Sequence, residues 1–402
     1  MINPAFAFVF ITVLLDMLAL GVMIPVLPKL VVEFLGGDNA RAATIYGLFG
    51  TVWAAMQFVF SPVIGSLSDR YGRRPVILLS NFGLGLDYVF MALAPTLGWL
   101  FVGRVISGIT SSSIATAGAY IADVTPPDAR AKRFGMLGAA FGFGFIVGPA
   151  VGGLLGSIDL RLPFWAAAAL SLLNAVYGLF VLPESLPPGR RTAFKWRTAN
   201  PVGAVALLRS DIVLLGLGAA AFLSRVAHDA LPSTFVLYAT YRYAWDERAI
   251  GFTLAAVGVS SLIVSAALIG PIVRRIGERR ALFVGLTAGI LGFLIYAVAP
   301  TGALFFIGVP IMGLYGLSNP ALQALLSRRV GVGEQGRLQG AVASLMGIAG
   351  VIAPVLFTVT FALFVGTLRD LQVPGAPWIL AAALLATALV VSGRSTAAAV
   401  AR

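Results

Sequence analysis

Long apolar runs broken by short polar turns set the rhythm of this chain. Twelve such stretches lie near 5–28, 44–67, 76–95, 98–122, 134–157, 163–183, 210–240, 248–273, 281–300, 302–325, 338–366 and 375–393. About 20 apolar residues in a helix cross a hydrocarbon layer of roughly 30 Å. The pattern therefore predicts twelve membrane-crossing helices, numbered below as spans 1 to 12.

The pattern is also written twice. GSLSDRYGRRPVILLS at 65–80 returns in weaker form as GPIVRRIGERRALFVG at 270–285, an offset of 205 residues in a chain of 402. The same offset aligns Gly65 with Gly270, Gly72 with Gly277, Pro95 with Pro300 and Gly103 with Gly308. It goes on to align Gly108 with Gly313, Gly135 with Gly340, Gly142 with Gly347 and Pro149 with Pro354. Glycine and proline mark positions where the backbone has a special task, so their recurrence predicts two copies of one backbone. The expected fold is an all-α membrane protein with two pseudo-symmetric six-helix halves, residues 1–185 and 208–402. A polar stretch, ESLPPGRRTAFKWRTANPVGAVALLR at 184–209, contains the cytoplasmic linker (186–207), expected to form a short amphipathic helix on the membrane surface. In an apolar chain, two such halves describe a carrier that rocks about a central site.

Composition agrees. Hydrophobic residues make up 59% and charged residues 11%, far from the balance of soluble domains. The 46 glycines and 22 prolines would weaken soluble helices, but in a bilayer they permit close packing and bends. The first apolar segment runs too long, and lacks a basic leader, for a cleavable signal peptide. With no cysteine, neither disulfides nor thiolate metal sites can form. No cofactor is expected; without a P-loop for ATP, the driving force would be a proton gradient. The net charge of +12 does not call for nucleic acid. With both termini cytoplasmic, twenty of the 28 Lys and Arg residues fall on the cytoplasmic side, as the positive-inside rule requires.

Two regions between spans 2 and 5 carry chemistry. The turn after span 2 reads Gly65-x-x-x-Asp69-Arg70-x-Gly72-Arg73-Arg74, and span 5 contains Gly148-Pro149-x-x-Gly152-Gly153. Asp69, at a helix end among three arginines, can bridge guanidinium groups and a helix N-terminus and so latch the two halves. The competing reading is that the arginines only set topology. The repeat places Arg274 where Asp69 stands, so the second loop is expected to lack an equivalent latch. The span 5 glycines, with Pro149, offer a smooth, bendable face for contact with the opposite half, or for ordinary tight packing.

Few ionisable residues lie deep in the spans: Asp16, Asp87, Arg104, Arg225, His228 and Asp229. Burying each costs on the order of 3 kcal/mol, so function is the default reading and a static ion pair its rival. Arg225, His228 and Asp229, at i, i+3 and i+4, share one face of span 7 and include the single histidine. Such a group can change protonation with occupancy; a histidine satisfied by water or backbone near a helix end is the plainer alternative. Aromatic residues expected to line a substrate cleft are Phe58, Phe141, Phe145, Phe235, Tyr238 and Tyr315.

The turn after span 2, Gly103-Arg104-Val105-Ile106-Ser107-Gly108 and the span 5 glycines together resemble the signature motifs of the major facilitator superfamily. The last resembles the pattern of its drug/proton antiporters. The resemblance to bacterial tetracycline/proton antiporters extends through LLDMLALGVMIPVLPKL (14–30), LDYVFMALAP (86–95), AGAYIADVT (117–125), RFGMLGAAFGFG (133–144) and PALQALLSRRV (320–330). It implies proton-coupled export of an amphipathic, tetracycline-like compound by a monomer in the bacterial inner membrane. It also implies that Asp16, Asp87 and Arg104 are needed for transport and that Gln57 lines the central cavity. The latch of Asp69 would hold the outward-facing state. The second half departs from the family: Ser260 stands where those antiporters carry a span 8 histidine, and Gly289 where they carry a span 9 aspartate. Neither can titrate, so another drug, a metabolite or a lipid-like molecule is an open alternative substrate. A nutrient uniporter or symporter and a transporter-shaped receptor are further alternatives. Any titratable site of the second half would then lie on span 7, at His228 and Asp229.

Overall fold

In a bilayer every peptide group must find its hydrogen bond inside the chain, and the helix is the local solution. The computed structural model describes residues 4–111, 113–126, 130–191, 207–209, 211–331 and 334–400, and among them the regular structure is helical. The helices of the first half are α1 (Pro4–Met23), α2 (Leu27–Phe34), α3 (Asn39–Tyr71), α4 (Arg73–Ala92), α5 (Leu97–Thr110), α6 (Ser113–Val124), α7 (Arg130–Gly156) and α8 (Leu162–Val181). Those of the second are α9 (Ile212–His228), α10 (Ala230–Tyr243), α11 (Glu247–Ile263), α12 (Ile269–Val298), α13 (Gly302–Gly313), α14 (Ser318–Ser327), α15 (Gln335–Val365) and α16 (Ala376–Val400).

Ten helical runs are long and apolar enough to cross a membrane, and one of them, Glu247–Val298, holds 52 residues. At about 1.5 Å per residue that run is long enough for two passages. It turns at Gly277, whose φ of 78° and ψ of 162° are not helical. Counting that run twice and taking α5 with α6 as one passage gives twelve among the described residues. The expected amphipathic helix of the linker falls mostly on 192–206, outside the described residues.

The 205-residue repeat is visible in the backbone. Gly72, at φ 106° and ψ 158°, starts α4 as Gly277 restarts the second copy. Only glycine adopts this region without strain. Charges repeat too, but with inverted sign. Arg73 Nε pairs with Asp123 at 3.1 Å; one offset later, Glu278 pairs with Arg328. The second loop thus has an ion pair of its own, with Arg274 standing where Asp69 would form the latch. It carries the first loop's pair with the acid and base exchanged.

The helices form two compact units. One comprises residues 1–36, 52–200 and 245–255; the other comprises 37–51, 201–244 and 256–402. Relative to a plain division at the linker, the first turns of α3 and of α11 are exchanged. Glycine contacts account for the exchange. In the second unit, Gly50 has room only for a hydrogen against Pro354, where a Cβ would lie 2.9 Å from its ring. In the first, Gly251 sits on Gly153 at a distance where a Cβ would come within 3.1 Å. There, too, Lys29 Nζ pairs with Glu247 at 2.8 Å and donates to the Trp245 carbonyl at 3.0 Å.

Span 5 was expected to turn its glycines toward the opposite half. One row of that stripe packs on α1: a Cβ at Gly148 would lie 2.7 Å from Gly21 Cα, Gly144 faces Met17 and Gly152 faces Val22. Spacing of four residues puts all three on one face of α7, so two backbones approach closely. The neighbouring face, Pro149 and Gly153, meets Gly251 of α11.

Gly72 and Gly277 separate backbone strain from packing. A Cβ at Gly72 would collide with Glu184 Oε2, whereas Gly277 has nothing within 4 Å. Gly277→Ala is expected to cost about 1–3 kcal/mol of backbone strain, and Gly72→Ala that plus displacement of Glu184. Melting temperatures in detergent should fall further for Gly72→Ala; an equal fall would mean that the Glu184 contact contributes nothing.

Candidate functional site

The turn after α3 is held by carboxylates from two other places in the same unit. Glu184 Oε1 accepts from the Arg73 backbone N–H at 2.9 Å, and Oε2 from that of Arg74 at 3.3 Å. A carboxylate thus caps the α4 N-terminus, where unpaired N–H groups and the helix dipole favour negative charge. Arg73 donates to Ser68 Oγ at 2.6 Å and pairs with both Asp69 and Asp123. Arg74 reaches the Leu179 carbonyl at 2.6 Å, and the Arg70 guanidinium lies 5.1 Å from the Tyr71 ring. Asp69 is thereby engaged inside its own unit. A Cβ at Gly65 would meet open space, so close packing does not explain that glycine. Sequence reasoning missed Asp123 and Glu184, although Asp123 lies within the quoted AGAYIADVT.

Deeper in this unit, Asp16 on α1 is buried and accepts from Asn174 Nδ2 at 3.0 Å. The same nitrogen donates to the Thr12 carbonyl at 3.0 Å, so Asn174 fixes the carboxylate to α8. Asn174 was also missed, although it is a lone amide in an apolar span. Asp87 on α4 is 2% exposed, and neither carboxylate oxygen has a hydrogen-bond partner among the described residues. The Arg104 charge on α5 acts on it, and the Arg104 guanidinium lies 5.2 Å from the Trp53 ring. Two glycines bring α5 in. A Cβ at Gly103 would lie 3.3 Å from Asp87 Oδ1, and one at Gly108 2.7 Å from the Trp53 carbonyl. Gln57 and Phe58 are partly buried on α3, Phe141 packs on the core around Tyr120, and Phe145 is exposed.

The second unit contains a cavity of about 450 Å³ lined from α9, α11, α13, α14 and α15. Its polar end is built where span 7 breaks. Pro232 has no N–H to give the His228 carbonyl, so the helix stops at His228 and restarts at Ala230. Asp229, in the joint, receives both Arg225 Nη2 at 3.0 Å and Nε at 3.1 Å. His228 faces the cavity and stacks on Tyr315, with centroids 5.9 Å apart and planes at 21°. Tyr315 in turn donates its hydroxyl to the Ser224 carbonyl at 2.7 Å. Gly289 makes room for this tyrosine: a Cβ there would lie 2.7 Å from its ring and 2.6 Å from Leu385. Ser260 does not line the cavity; its hydroxyl donates to the Val309 carbonyl at 3.4 Å beside Gly313.

Two expected cleft residues lie elsewhere. Phe235 and Tyr238 are each 1% exposed, because the helix beyond the Asp229 joint turns them into an aromatic core. Phe235 packs on Phe305 at 5.5 Å, and the Tyr238 hydroxyl donates to the Tyr296 carbonyl at 2.9 Å beside Trp378.

The twice-written helical fold has counterparts among known proteins. The profile of the Major Facilitator Superfamily matches residues 9–354. The chain belongs to this superfamily. Among its relatives is the class C tetracycline resistance protein of Escherichia coli, 38% identical over 95% of this chain and 94% of the relative. The class G tetracycline resistance protein of Vibrio anguillarum is 38% identical over 92% of each chain. The fold is shared with solved transporters of low identity. The nucleoside transporter NupG aligns with a TM-score of 0.76 at 15% identity, covering 98% of this chain and 99% of its own. The human organic anion transporter MFSD10 (TETRAN) aligns with a TM-score of 0.70 at 23% identity, covering 97% and 99%. As a superfamily member the chain is a multi-pass membrane transporter for small molecules.

Gly289→Asp would set a carboxylate against the Tyr315 ring. Overpacking of this kind costs about 1–3 kcal/mol, so the variant should melt several degrees lower in detergent. Adding Tyr315→Ala to Gly289→Asp should recover part of the loss. Absence of any recovery would show that Tyr315 is not what occupies the space.

Proposed function

We propose that this chain is a proton-coupled exporter of an amphipathic organic compound, with a tetracycline-like drug as the leading candidate. It would act as a monomer in a bacterial inner membrane, with both termini in the cytoplasm. The observation that carries the reading is 38% identity to a tetracycline resistance protein across 95% of the chain. The charge asymmetry of the loops supports the orientation. Lys29, Arg41, Arg161, Arg242, Arg248 and Arg369 would be the basic residues of the outer face.

In this reading Asp87 carries the proton. A carboxylate with no hydrogen-bond partner is stabilised as an anion by a single kind of neighbour, the Arg104 charge, so a small movement of α5 changes its proton affinity. Asp16, held by Asn174, serves more as a brace between α1 and α8. The cavity of the second unit receives the substrate, with Tyr315 and His228 as one wall. His228 and Asp229 are candidates for a second titrating site. Asp69, Arg70, Arg73 and Arg74 with Gly72 would govern the cytoplasmic end during alternation.

A second reading, export of another drug, a metabolite or a lipid-like molecule, is favoured by one observation. Ser260 and Gly289 occupy the positions at which the tetracycline antiporters carry ionisable groups, and both are used here for helix packing.

Asp87→Asn is expected to abolish uphill drug efflux from proteoliposomes with an imposed pH gradient, while leaving drug binding within about threefold of the parent. Accumulation by Asp87→Asn against a gradient would place the proton elsewhere. Tetracycline flux that is absent from the parent protein, with flux of another amphipath present, would decide for the second reading.

A further inference from the structure

The Arg225–Asp229 pair is not symmetric toward the cavity. Both carboxylate oxygens of Asp229 are taken by Arg225, and its side chain is 10% exposed, whereas the Arg225 side chain is 42% exposed. The pair is a dipole with its negative end covered and its positive end presented. Arg225 Nη1 carries no hydrogen bond among the described residues and is left as a donor toward the cavity. His228, next along the same face, adds a ring whose nitrogens have no partner among the described residues. Ser224 Oγ is buried beside it without a hydrogen bond. Ser261, Ser265, Ser318 and Asn319 complete the polar lining, and no Asp or Glu is among the lining residues.

We propose that this cavity binds an anionic oxygen group (carboxylate, sulfonate or enolate) on an aromatic body, and disfavours organic cations. This deepens the reading of the cavity as the substrate site and rests on it. A planar guanidinium edge with flanking hydroxyl and amide donors matches an anionic oxygen in geometry and charge. A cation would meet the exposed end of the dipole with no carboxylate in the lining to receive it, and would lose hydration without replacement. The Tyr315 ring, stacked on His228, gives the aromatic body a flat apolar wall. Low dielectric in a cavity among helices makes the difference between the two charges larger than it would be at a surface.

Asp229 gives the assignment a sign that a structural role does not share. It competes with the ligand anion for Arg225. Replacing it by asparagine keeps the side chain's shape while freeing the guanidinium charge, so anion binding should strengthen. If Asp229 were only a brace, the same change would weaken binding or leave it unaltered.

The test is isothermal titration of the full-length protein in detergent, with empty micelles as blank. The probes are 2-naphthoate and 2-naphthylmethylammonium, which share one ring system and carry opposite charge. The parent should bind naphthoate, and the ammonium compound at least about tenfold more weakly. Asp229→Asn should bind naphthoate about tenfold more tightly. Arg225→Gln with Asp229→Asn removes both charges together, so no ion is left unpaired to threaten folding. It should bring the two probes within about twofold of each other. Equal affinity of the parent for both probes, no naphthoate binding, or an Asp229→Asn variant no tighter than the parent would overturn the assignment. Drug flux in proteoliposomes is measured independently of these probes. A protein that exports drug yet prefers the ammonium probe loses this assignment alone; one that exports nothing loses the efflux reading itself.

Discussion

A charged group inside a bilayer costs on the order of 3 kcal/mol unless something nearby repays the lost water, and the interior of this protein is arranged around that demand. Each deep carboxylate meets it differently. Asp16 has an amide, Asn174, bonded to it at 3.0 Å. Asp229 takes both arms of a guanidinium. Asp87 lies in the field of Arg104, and neither of its oxygens has a hydrogen bond among the described residues. The first two have hydrogen-bond partners; for the third, what matters is how near α5 brings Arg104. Glycines at 103 and 108 set that distance, because they decide how closely α5 can lie against α4 and α3. Packing and electrostatics are therefore one problem here.

The two halves share a backbone more faithfully than they share chemistry. Gly72 and Gly277 hold similar non-helical torsions one repeat apart, since the turn between two antiparallel spans needs them whatever the side chains do. The ion pair beside each turn keeps its place and exchanges its partners: Arg73 with Asp123, Glu278 with Arg328. A pair reversed in sign holds two helix ends together equally well, so the repeat can drift in charge while its geometry stays. The first copy has gained more. Glu184 closes on the start of α4 and Asp69 joins Arg73, whereas the second copy has Arg274 in place of Asp69.

Much of the fold was legible in the sequence because its determinants are local or periodic. Apolar length gave the spans, and matched glycines and prolines gave the repeat. The intramembrane ionisable residues were legible for the same reason: in so apolar a chain, six charges stand out. Partners were not legible. Asn174, Asp123 and Glu184 act across the unit, and nothing in their own neighbourhoods says which helix will lie against them. Phe235 and Tyr238 were misplaced because Pro232 and Asp229 break span 7. The residues beyond the break then point into an aromatic core instead of continuing the face of His228. The glycine stripe of α7 reads as a contact surface, but a stripe cannot name its partners: Gly144, Gly148 and Gly152 meet α1, while Pro149 and Gly153 meet α11 of the second half.

Glycine at 289 decides by volume what can stand beside the second unit's cavity. The resemblance to the tetracycline antiporters implies a carboxylate at this place in span 9; here the space it would fill holds the Tyr315 ring. With the tyrosine seated there, its hydroxyl reaches the Ser224 carbonyl, and its face is free to meet His228. The imidazole is thereby set at the rim of the cavity, one turn from Arg225. The side chain beside Gly289 and the placing of the imidazole are thus joined through Tyr315, which needs the volume the glycine leaves. A carboxylate restored at 289 would remove the wall that holds His228 in place, so the two arrangements exclude each other by volume before electrostatics has any say.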